Sequence, residues 1–398
     1  MKRDRFVLEL AKRISEKRKF IQVVAGPRQV GKTTIIQDFL ETYSMTVISE
    51  SADAVSVPAE VFLEQIWNNA RLLLKTGIKE ILIVIDEVQK LDNWSEIVKK
   101  FWDEDTKLKR NIKVILSGSS RLLIEKGLTE SLHGRFELIL VPHWSYAEMK
   151  KAFGFSLEEY IYFGAYPGAA ALVKDERRWK NYIRDSIIET SISKDIIMLT
   201  TIAKPALLRQ LFDLGTIYSS QIMPFNKILG TLTDAGNTVT LSHYLILLDQ
   251  CGLLGGLQKY CGSEQRIRSS SPKFQVYNSA LLSAIMNKSF KEVKSTPDVW
   301  GRFVETCVGT HLINTSVEYK FKLNYWRDGN DEVDFVISDG KKIAAIEVKS
   351  GSKITGRGMA AFKQKYPDAK IYAVSSQEIS GTVIKLEDFL NINPLEFL

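Results

Sequence analysis

Hydrophobic and polar residues alternate along the chain in three successive patterns. In the first, apolar residues recur at helical spacing over 6–14, and an apolar run over 20–25 predicts a short strand that ends in a glycine-containing loop. Apolar, β-branched runs at 81–85 and 114–116, with helical patterns between them, predict further strands of a buried parallel sheet. Residues 1–145 are therefore expected to form one α/β domain.

The second and third patterns predict the organisation of the remaining chain. A charged helical pattern over 146–200 predicts a helical linker, and three short helical patterns with a candidate hairpin predict a winged-helix-like region over 201–265. A polar, serine-rich stretch opens a connector over 266–295. Over 296–398 the predicted order is a helix, three strands, a helix and a strand, which indicates a second α/β domain.

Composition and charge narrow the class of protein. Of the 398 residues, 45% are hydrophobic and 25% are charged, as in ordinary globular proteins, and the net charge of +7 permits DNA as a partner. The three cysteines lack the spacing of a zinc site or a disulfide framework, so we expect a cytoplasmic location. Charges interrupt the apolar runs before the roughly 18 residues that a membrane span requires, so we expect no membrane contact.

A phosphate-binding motif lies between the first predicted strand and the next helix. The pattern G-x-x-x-x-G-K-[ST] is matched by Gly26, Pro27, Arg28, Gln29, Val30, Gly31, Lys32 and Thr33, and Thr34 follows it. The glycines allow backbone N–H groups to curl around phosphate oxygens, and the helix N-terminus adds positive charge. We expect Lys32 to reach the β- and γ-phosphates of ATP, and Thr33 to hold Mg²⁺. A chance loop between strand and helix is the alternative.

An acidic pair ends the strand predicted at 81–85. Asp86 is placed to complete the Mg²⁺ shell, because ligands of parallel sheets bind at the carboxyl ends of the strands. Glu87 is placed to orient or deprotonate the attacking water, which is the role that separates hydrolysis from nucleotide binding alone. The alternative is that these two carboxylates only cap a helix.

Two further groups are candidates for the same reaction. Ser117, followed by Gly118, Ser119 and Ser120, ends a strand, where its hydroxyl is placed to contact the γ-phosphate or the water; serines there also serve as plain turn residues. Arg135 is a candidate to stabilise transition-state charge, in cis or from a neighbouring subunit, and Arg121 competes for that role. Action from a neighbouring subunit implies a nucleotide-dependent homo-oligomer.

Together, the segments GPRQVGKTT, ILIVIDE, VILSGSS and LHGR resemble the AAA+-like P-loop ATPases found mainly in archaea and bacteria. Residues 163–167 resemble that family's G-G-x-P turn and 184–195 its helical linker, so the resemblance covers nearly the whole chain. Ser117 stands where the family usually has threonine, and Ala165 replaces the second glycine of the turn. The resemblance implies ATP binding and hydrolysis, with the phosphate loop and the acidic pair in the roles given above.

The helical pattern over 240–248 is a candidate DNA-contacting element. Its leucines share one face, and a hydroxyl of Thr240 or Ser242 is placed to cap its start. The opposite face is then open to a major groove, as in recognition helices. The segment 237–250 contains no arginine or lysine, however, so the charge that dominates affinity for duplex DNA must come from elsewhere. Packing or protein binding by a winged helix is the alternative.

Charged residues converge on two strands of the third pattern. Asp334 lies on one strand, and Glu347 and Lys349 point to the same face of the next, separated by about 7 Å at ~3.3 Å per residue. Two converging carboxylates bind Mg²⁺, and a nearby ammonium orients water, which is the chemistry of metal-assisted phosphodiester hydrolysis. A Glu-x-Lys sequence is also a common cross-strand charge pair.

This arrangement resembles the PD-(D/E)XK nuclease-like fold. Glu305, on the helix predicted over 300–312, has the position of that family's helical acid. The resemblance implies a nuclease site of Glu305, Asp334, Glu347 and Lys349, with Mg²⁺ at the Asp334 and Glu347 carboxylates. Whether catalysis is retained is left open by the sequence.

The predicted fold class is therefore α/β: a P-loop NTPase parallel sheet, a helical and winged-helix region, and a C-terminal restriction-endonuclease-like α/β domain. The predicted function is an ATPase whose nucleotide cycle controls a nucleic-acid-binding or nuclease-like terminal domain. One alternative is an ATP-driven regulatory switch whose terminal domain only binds a partner. A second is a signalling scaffold without nucleic acid, which a steeply salt-dependent retention on DNA would count against.

Overall fold

The chain folds as two compact units, residues 1–141 and 142–398. The structure is a computed structural model that describes residues 3–118, 128, 131–197, 202–231, 237–261, 270–349, 356–376 and 383–398. Within these residues, no helix has both the length and the apolar composition that crossing a bilayer requires.

A five-stranded parallel sheet forms the centre of the first unit. Its strands are β1 (Ile21–Ala25), β2 (Thr46–Ser51), β3 (Ile81–Asp86), β4 (Ile112–Gly118) and β5 (Phe136–Leu140). They lie in the order β2-β3-β4-β1-β5, and every neighbouring pair is parallel. Its helices are α1 (Asp4–Ser15), α2 (Lys32–Glu41), α3 (Ala59–Lys75) and α4 (Trp94–Lys107). The α/β fold class with a parallel sheet is confirmed.

Alternation along β3 explains why this strand is apolar throughout. Ile81, Ile83 and Ile85 pack in the core that contains α3 and α4. Leu82 and Val84 pack in the core on the other face, with the apolar stripe of α1 and residues of α2. A parallel strand covered on both faces must be hydrophobic at every position, so the run carries no polar residue until it reaches the edge of the sheet.

Sheet order determines which loops meet. β4 lies between β1 and β3, and all three strands run in the same direction. Because the strands are parallel, the loops that follow them open on the same edge. The phosphate loop after β1, the acidic pair at the end of β3 and the end of β4 are therefore brought to one edge by topology alone.

The helices from α5 onward belong to the second unit. They are α5 (Tyr146–Phe153), α6 (Leu157–Phe163), α7 (Glu176–Tyr182), α8 (Pro205–Ile217), α9 (Phe225–Leu229), α10 (Thr238–Gln250), α11 (Ser279–Ile285), α12 (Phe290–Ser295), α13 (Pro297–Tyr319), α14 (Arg357–Lys365) and α15 (Leu386–Phe389). Wider π-helical turns follow α7 over 183–188 and 191–197. Ser145 and Ser156 begin α5 and α6 with capping boxes, which fixes the start of each helix.

A seven-stranded mixed sheet forms the other layer of this unit. Its strands are β6 (Leu254–Lys259), β7 (Lys273–Val276), β8 (Lys322–Asp328), β9 (Asp331–Ser338), β10 (Ile343–Lys349), β11 (Lys370–Ser375) and β12 (Val383–Lys385). Their order is β12-β11-β10-β9-β8-β6-β7. The predicted succession of a helix, three strands, a helix and a strand corresponds to α13, β8, β9, β10, α14 and β11.

The sheet crosses the domain boundaries that the sequence suggested at 265 and 295. β6 and β7 form an antiparallel pair, and β6 also pairs with β8 at Gln258 and Asn324. The expected connector over 266–295 contains β7, α11 and α12. The difference arises because the run 273–276 is fully buried, although polar residues precede it. The β6–β7 pair, which comes after α8 to α10 in the chain, thus belongs to the same sheet as the terminal strands.

A tight turn at Gly164 packs against the start of α11. Gly164 has a φ of +66°, and a Cβ there would lie 2.1 Å from Asn278 Oδ1. The same oxygen accepts hydrogen bonds from the backbone N–H of Ala165 at 3.0 Å and of Ala280 at 3.1 Å. Glycine is therefore required at 164, whereas Ala165 fits where the family resemblance led us to expect glycine.

Burial of His311 predicts that this residue destabilises the second unit in acid. The side chain lies on α13, its Nε2 has no hydrogen-bond partner among the described residues, and burial lowers its pKa from 6.5 to about 4. Below pH 6.5 the unfolded chain binds a proton that the folded chain binds only near pH 4. The contribution of His311 to the free energy of unfolding should therefore fall between pH 7 and pH 4, by up to roughly 3 kcal/mol, while carboxyl groups of the same unit whose pKa is raised, such as Glu305, contribute with the opposite sign.

Denaturant unfolding of the full chain at several pH values measures this effect. Relative to the wild type, His311→Leu should gain up to roughly 3 kcal/mol in free energy of unfolding between pH 7 and pH 4, while His243→Leu, at an exposed position on α10, should parallel the wild type. A pH dependence in His311→Leu that parallels the wild type would contradict this account of His311.

Candidate functional site

The phosphate loop joins β1 to α2, and its two motif glycines are required for different physical reasons. A Cβ at Gly26 would lie 2.1 Å from the carbonyl oxygen of Val141, so only glycine allows this approach of the two backbones. Gly31 has a φ of +92° at the N-cap of α2, a conformation that side chains rarely adopt. Glycine is therefore required at the start of the loop because a side chain would clash, and at its end because the backbone is left-handed.

The Lys32 side chain lies against this loop. Its Nζ donates to the carbonyl oxygens of Gly26 at 3.1 Å and Pro27 at 2.9 Å, and the residue is only 6% exposed. Lys32 is the first residue of α2, so its ammonium and the N-terminus of the helix place positive charge at the same point.

Asp86 connects the ends of three strands. Its Oδ2 accepts a hydrogen bond from Thr33 Oγ1 at 2.8 Å, and its Oδ1 accepts from the hydroxyl of Ser117 and from the backbone N–H of Glu87 at 2.9 Å. Thr33 follows the loop after β1 and Ser117 lies on β4, so the central position of β4 brings its hydroxyl within reach of Asp86. The structure therefore brings together Lys32, Thr33, Asp86 and Ser117.

Glu87 has an unusual backbone conformation beside this group. Its φ is +52°, in the left-handed region, and its carboxylate accepts a hydrogen bond from Gln89 Nε2 at 2.5 Å. For a residue other than glycine this conformation costs on the order of 1–3 kcal/mol, and such residues cluster at functional sites. The hydrogen bond from the Glu87 N–H to Asp86 helps to hold it.

Arg135 lies at the opposite edge of the same sheet. Its carbonyl accepts a hydrogen bond at 2.8 Å from the N–H of Ile21, which begins β1, whereas the phosphate loop follows the end of β1. Its guanidinium donates to both carboxylate oxygens of Asp103, at 2.7 and 3.0 Å. This position excludes action in cis, and action on a neighbouring subunit stays a prediction. Arg121, Ser119 and Ser120 lie outside the described residues.

A second group of charges lies in the other unit, where α13, β9 and β10 meet. We call the carboxylates of Glu305, Glu332, Asp334 and Glu347 the terminal acidic cluster. Asp334 Oδ2 accepts a hydrogen bond from the backbone N–H of Val348 at 2.7 Å, which ties β9 to β10 beside Glu347. The structure thus brings Asp334 close to the strand segment that carries Glu347.

Glu347 and Lys349 form an ion pair on one face of β10. Lys349 Nζ lies 2.6 Å from Glu347 Oε1, while Glu347 Oε2 is buried without a hydrogen-bond partner in the described part of the chain. Gly356, the N-cap of α14, covers the pair, since a Cβ there would lie 2.8 Å from Glu347 Oε1. A buried carboxylate oxygen without a donor needs a physical explanation, and a bound cation is one such explanation.

Sequence reasoning missed a central residue of this cluster, Lys273. Its Nζ lies 2.7 Å from Glu305 Oε1, 3.7 Å from Asp334 Oδ1 and 3.9 Å from Glu332 Oε1, and it also donates to the backbone oxygen of Asp334 at 3.1 Å. The side chain is completely buried. The available signal was a single lysine beside the apolar residues of 273–276, in a stretch that the polar neighbours marked as a connector.

Burial and mutual repulsion shift the proton equilibria of the cluster. Burial, with the charge of Asp334, raises the pKa of Glu305 to about 7, and the same two causes raise the pKa of Glu347. Burial alone would lower the pKa of Lys273, but Glu305 and Asp334 outweigh it and raise that pKa, so the ammonium stays charged. Four carboxylates face two ammonium groups here, so full ionisation leaves an excess of negative charge.

The donor groups fit the predicted cations to different degrees. Thr33 and Asp86 already touch, and a hydroxyl with a carboxylate is the oxygen donor set that Mg²⁺ prefers in nucleotide sites. At Asp334 and Glu347, the unpartnered Oε2 of Glu347 among the described residues and the excess negative charge also fit a divalent cation. Across the described residues, however, no group of three or more histidine, cysteine, aspartate or glutamate side chains is arranged to hold a metal ion.

Three family models match successive parts of the chain. Residues 18–150 match a family described as AAA domain. Residues 154–292 match a domain of unknown function, DUF8612, and residues 300–395 match another, DUF4143. The first match supports an AAA+-like ATPase in the first unit. The other two descriptions assign no activity to the second unit.

Comparisons with individual proteins give one distant relative and several weak structural similarities. An uncharacterized protein of Methanocaldococcus jannaschii is 22% identical over 388 residues, which cover 90% of this chain and 82% of that protein. A structure of Aeropyrum pernix ORC1 in complex with DNA has a TM-score of 0.31 at 12% identity, covering 73% of this chain and 93% of that chain.

Two other solved structures are similar to the same degree. A single-residue variant of Thermotoga maritima RuvB has a TM-score of 0.32 at 20% identity, covering 63% of this chain and 86% of that chain. A katanin structure, described as the structural basis for katanin self-assembly, has a TM-score of 0.27 at 23% identity. The match covers 37% of this chain and less than half, 46%, of the katanin chain. Scores this low carry no functional argument.

The close approach at Gly26 generates a prediction about the loop. Gly26→Ala should abolish nucleotide binding and lower the free energy of unfolding by roughly 2 kcal/mol or more, because the added methyl meets the Val141 backbone. Gly77→Ala is the matched control in the same unit: its φ is +99° and nothing lies within 4 Å, so backbone strain alone should cost about 1 kcal/mol. Denaturant unfolding and binding of a fluorescent nucleotide measure both effects. Equal losses in the two variants would contradict this account of the loop.

Proposed function

We propose that this protein is an AAA+-like ATPase that binds and hydrolyses ATP in its first unit, and that its nucleotide cycle controls a nuclease-like or nucleic-acid-binding second unit. The single observation that carries the ATPase proposal is the 2.8 Å hydrogen bond between Thr33 and Asp86. It joins the end of the phosphate loop to the acidic end of β3, two segments 53 residues apart.

Each residue of the nucleotide site has a proposed role. The amides of the loop over 26–31 and the N-terminus of α2 bind phosphate oxygens, and Lys32 neutralises their charge. Thr33 and Asp86 hold Mg²⁺, which when bound neutralises phosphate charge. Glu87 orients the attacking water and accepts its proton, and Ser117 positions Asp86 through their hydrogen bond. In this proposal Arg135 acts only on the nucleotide of a neighbouring subunit, within a homo-oligomer.

Phosphate release tests these roles. Glu87→Gln should retain nucleotide binding and lower the rate of phosphate release by about a hundredfold or more, because the base is lost while the phosphate contacts remain. Lys32→Ala should lose nucleotide binding. Glu41→Gln, an exposed acid at the end of α2, is the control and should behave as the wild type. Equal rates of phosphate release in wild type and Glu87→Gln would remove Glu87 from the mechanism.

The second part of the proposal rests on the terminal acidic cluster. Asp334 and Glu347 would hold a divalent cation, Glu305 would support them from α13, and Lys349 would orient the attacking water or a phosphate oxygen through its position beside Glu347. The cation would supply Lewis-acid stabilisation of the phosphodiester. The winged-helix-like helices α8 to α10, followed by the antiparallel pair β6–β7, are the proposed contact with DNA.

A regulatory switch without catalysis is the second candidate, and one observation favours it. Lys273 already neutralises part of the cluster from a fully buried position. In this alternative the second unit binds a partner and cleaves nothing, while the ATPase cycle is unchanged.

DNA cleavage decides between the two candidates. Plasmid, linear and single-stranded DNA, and RNA, are incubated with the full chain and Mg²⁺ or Mn²⁺. If the nuclease proposal holds, Glu347→Ala and Asp334→Asn should each abolish cleavage, while Glu396→Ala, at an exposed position, should retain it. Cleavage that persists in Glu347→Ala would assign it to another site. Complete absence of cleavage by the wild type would favour the switch.

A further inference from the structure

We propose that the Lys273 ammonium is the resident cation of the terminal acidic cluster, and that a divalent cation enters the cluster only by competing with it. Lys273 would thereby keep the site closed to metal until the strand that carries it moves. This inference rests on the proposed metal site at Asp334 and Glu347 and concerns the regulation of that site.

The position of Lys273 excludes a direct role on a substrate. Its side chain is completely buried, whereas Lys349 is 18% exposed and Glu347 is 14% exposed. A buried ammonium is costly unless it is paired, and here three carboxylates and one carbonyl oxygen surround it. The lysine therefore interacts with the cluster itself and cannot reach a nucleic acid at the surface.

Asp334 is the residue for which the two cations would compete. Its carboxylate Oδ1 lies 3.7 Å from Lys273 Nζ, and its backbone oxygen accepts a hydrogen bond from the same ammonium. Its Oδ2 accepts a hydrogen bond from the N–H of Val348, the residue after Glu347, and Glu347 Oε2 is buried without a hydrogen-bond partner in the described part of the chain. A cation held between Asp334 and Glu347 would thus share a ligand with the ammonium, and like charges that share a carboxylate weaken each other's binding.

The strand that supplies Lys273, β7, lies in the predicted connector over 266–295, next to β6, which belongs to the segment that the sequence predicts as winged-helix-like. β7 pairs with β6, and residues flanking Lys273 are held by the segment after α8: Met223 N–H donates to Pro272 O and Phe274 N–H donates to Gln221 O, each at 3.0 Å. Lys273 itself forms an isolated antiparallel bridge with Ile222. Any displacement of the β6–β7 pair therefore moves the ammonium, so the position of this segment would set whether the cluster accepts a metal ion.

Metal binding measured directly on the full chain tests the proposal without reference to cleavage. Nucleotide-free protein is titrated with Mn²⁺, and bound Mn²⁺ is measured by loss of the free-ion paramagnetic resonance signal. Lys273→Met removes the charge and keeps the length of the side chain, and it should bind Mn²⁺ about tenfold or more tightly than the wild type. Lys341→Met, on the exposed turn between β9 and β10, is the matched control and should equal the wild type. Affinity in Lys273→Met equal to or weaker than in the wild type would overturn the proposal.

A second variant keeps the test decisive if Lys273→Met loses its cooperative thermal transition. Lys273→Gln also removes the positive charge, but it keeps an N–H donor for the Glu305 carboxylate, which lies 2.7 Å from the ammonium in the wild type. Competition predicts that Lys273→Gln binds Mn²⁺ about tenfold or more tightly than the wild type, because the competing charge is gone. Affinity in Lys273→Gln equal to or weaker than in the wild type would overturn the proposal.

Double variants distinguish a wrong assignment of the metal ligands from a wrong inference about competition by Lys273. Asp334→Asn and Glu347→Gln are each combined with Lys273→Met. If the tight Mn²⁺ binding of Lys273→Met disappears in both double variants, the ion binds at the proposed ligands and the competition is upheld. If it persists, the ion binds elsewhere and both the metal site and the inference built on it fall.

Discussion

The hydrogen bonds of Asp86 are the interaction on which the first unit's site depends. The Asp86 carboxylate accepts hydrogen bonds from the hydroxyl of Thr33, which follows β1, and from the hydroxyl of Ser117 on β4. It also accepts one from the backbone N–H of Glu87, which follows β3. Because the strands are parallel, all three strand ends open on one edge, and the order found here, with β4 between β1 and β3, makes those ends neighbours. The apolar core on both faces of the sheet holds these ends in register.

Charge balance is the corresponding constraint in the second unit. Carboxylates from α13, β9 and β10 meet in a region largely shielded from water, where repulsion between them is strong unless cations or protons compensate. Lys273 compensates part of that charge from β7, and Lys349 compensates part from β10. The long, flexible lysine side chain makes it possible for an edge strand to contribute to a site built on other elements, and it links the β6–β7 pair to the acidic residues.

For helix α10, the sequence predicted the buried face correctly but not the residue at which the helix begins. The leucines expected to share a face, Leu241, Leu245 and Leu248, are all buried. The prediction that Thr240 or Ser242 caps the helix was wrong, because the helix starts earlier than its apolar pattern does. The N-cap is Asn237, whose Oδ1 accepts a hydrogen bond from the Thr240 N–H at 2.8 Å. Periodicity identifies a buried face well, but it does not define where the first turn begins.

The sequence by itself determined the phosphate loop, the apolar strands of the parallel sheet and the succession of elements in the terminal region, because these features depend on local residue pattern and spacing. Only the tertiary structure decided that Arg135 faces Asp103 at the far edge of the sheet, and that Lys273 lies among the carboxylates of the second unit. The contacts of Arg135 with Asp103 and of Lys273 with Glu305 both join residues far apart in the chain. No local pattern encodes such a contact, since it follows from the way that strands and helices pack around each other.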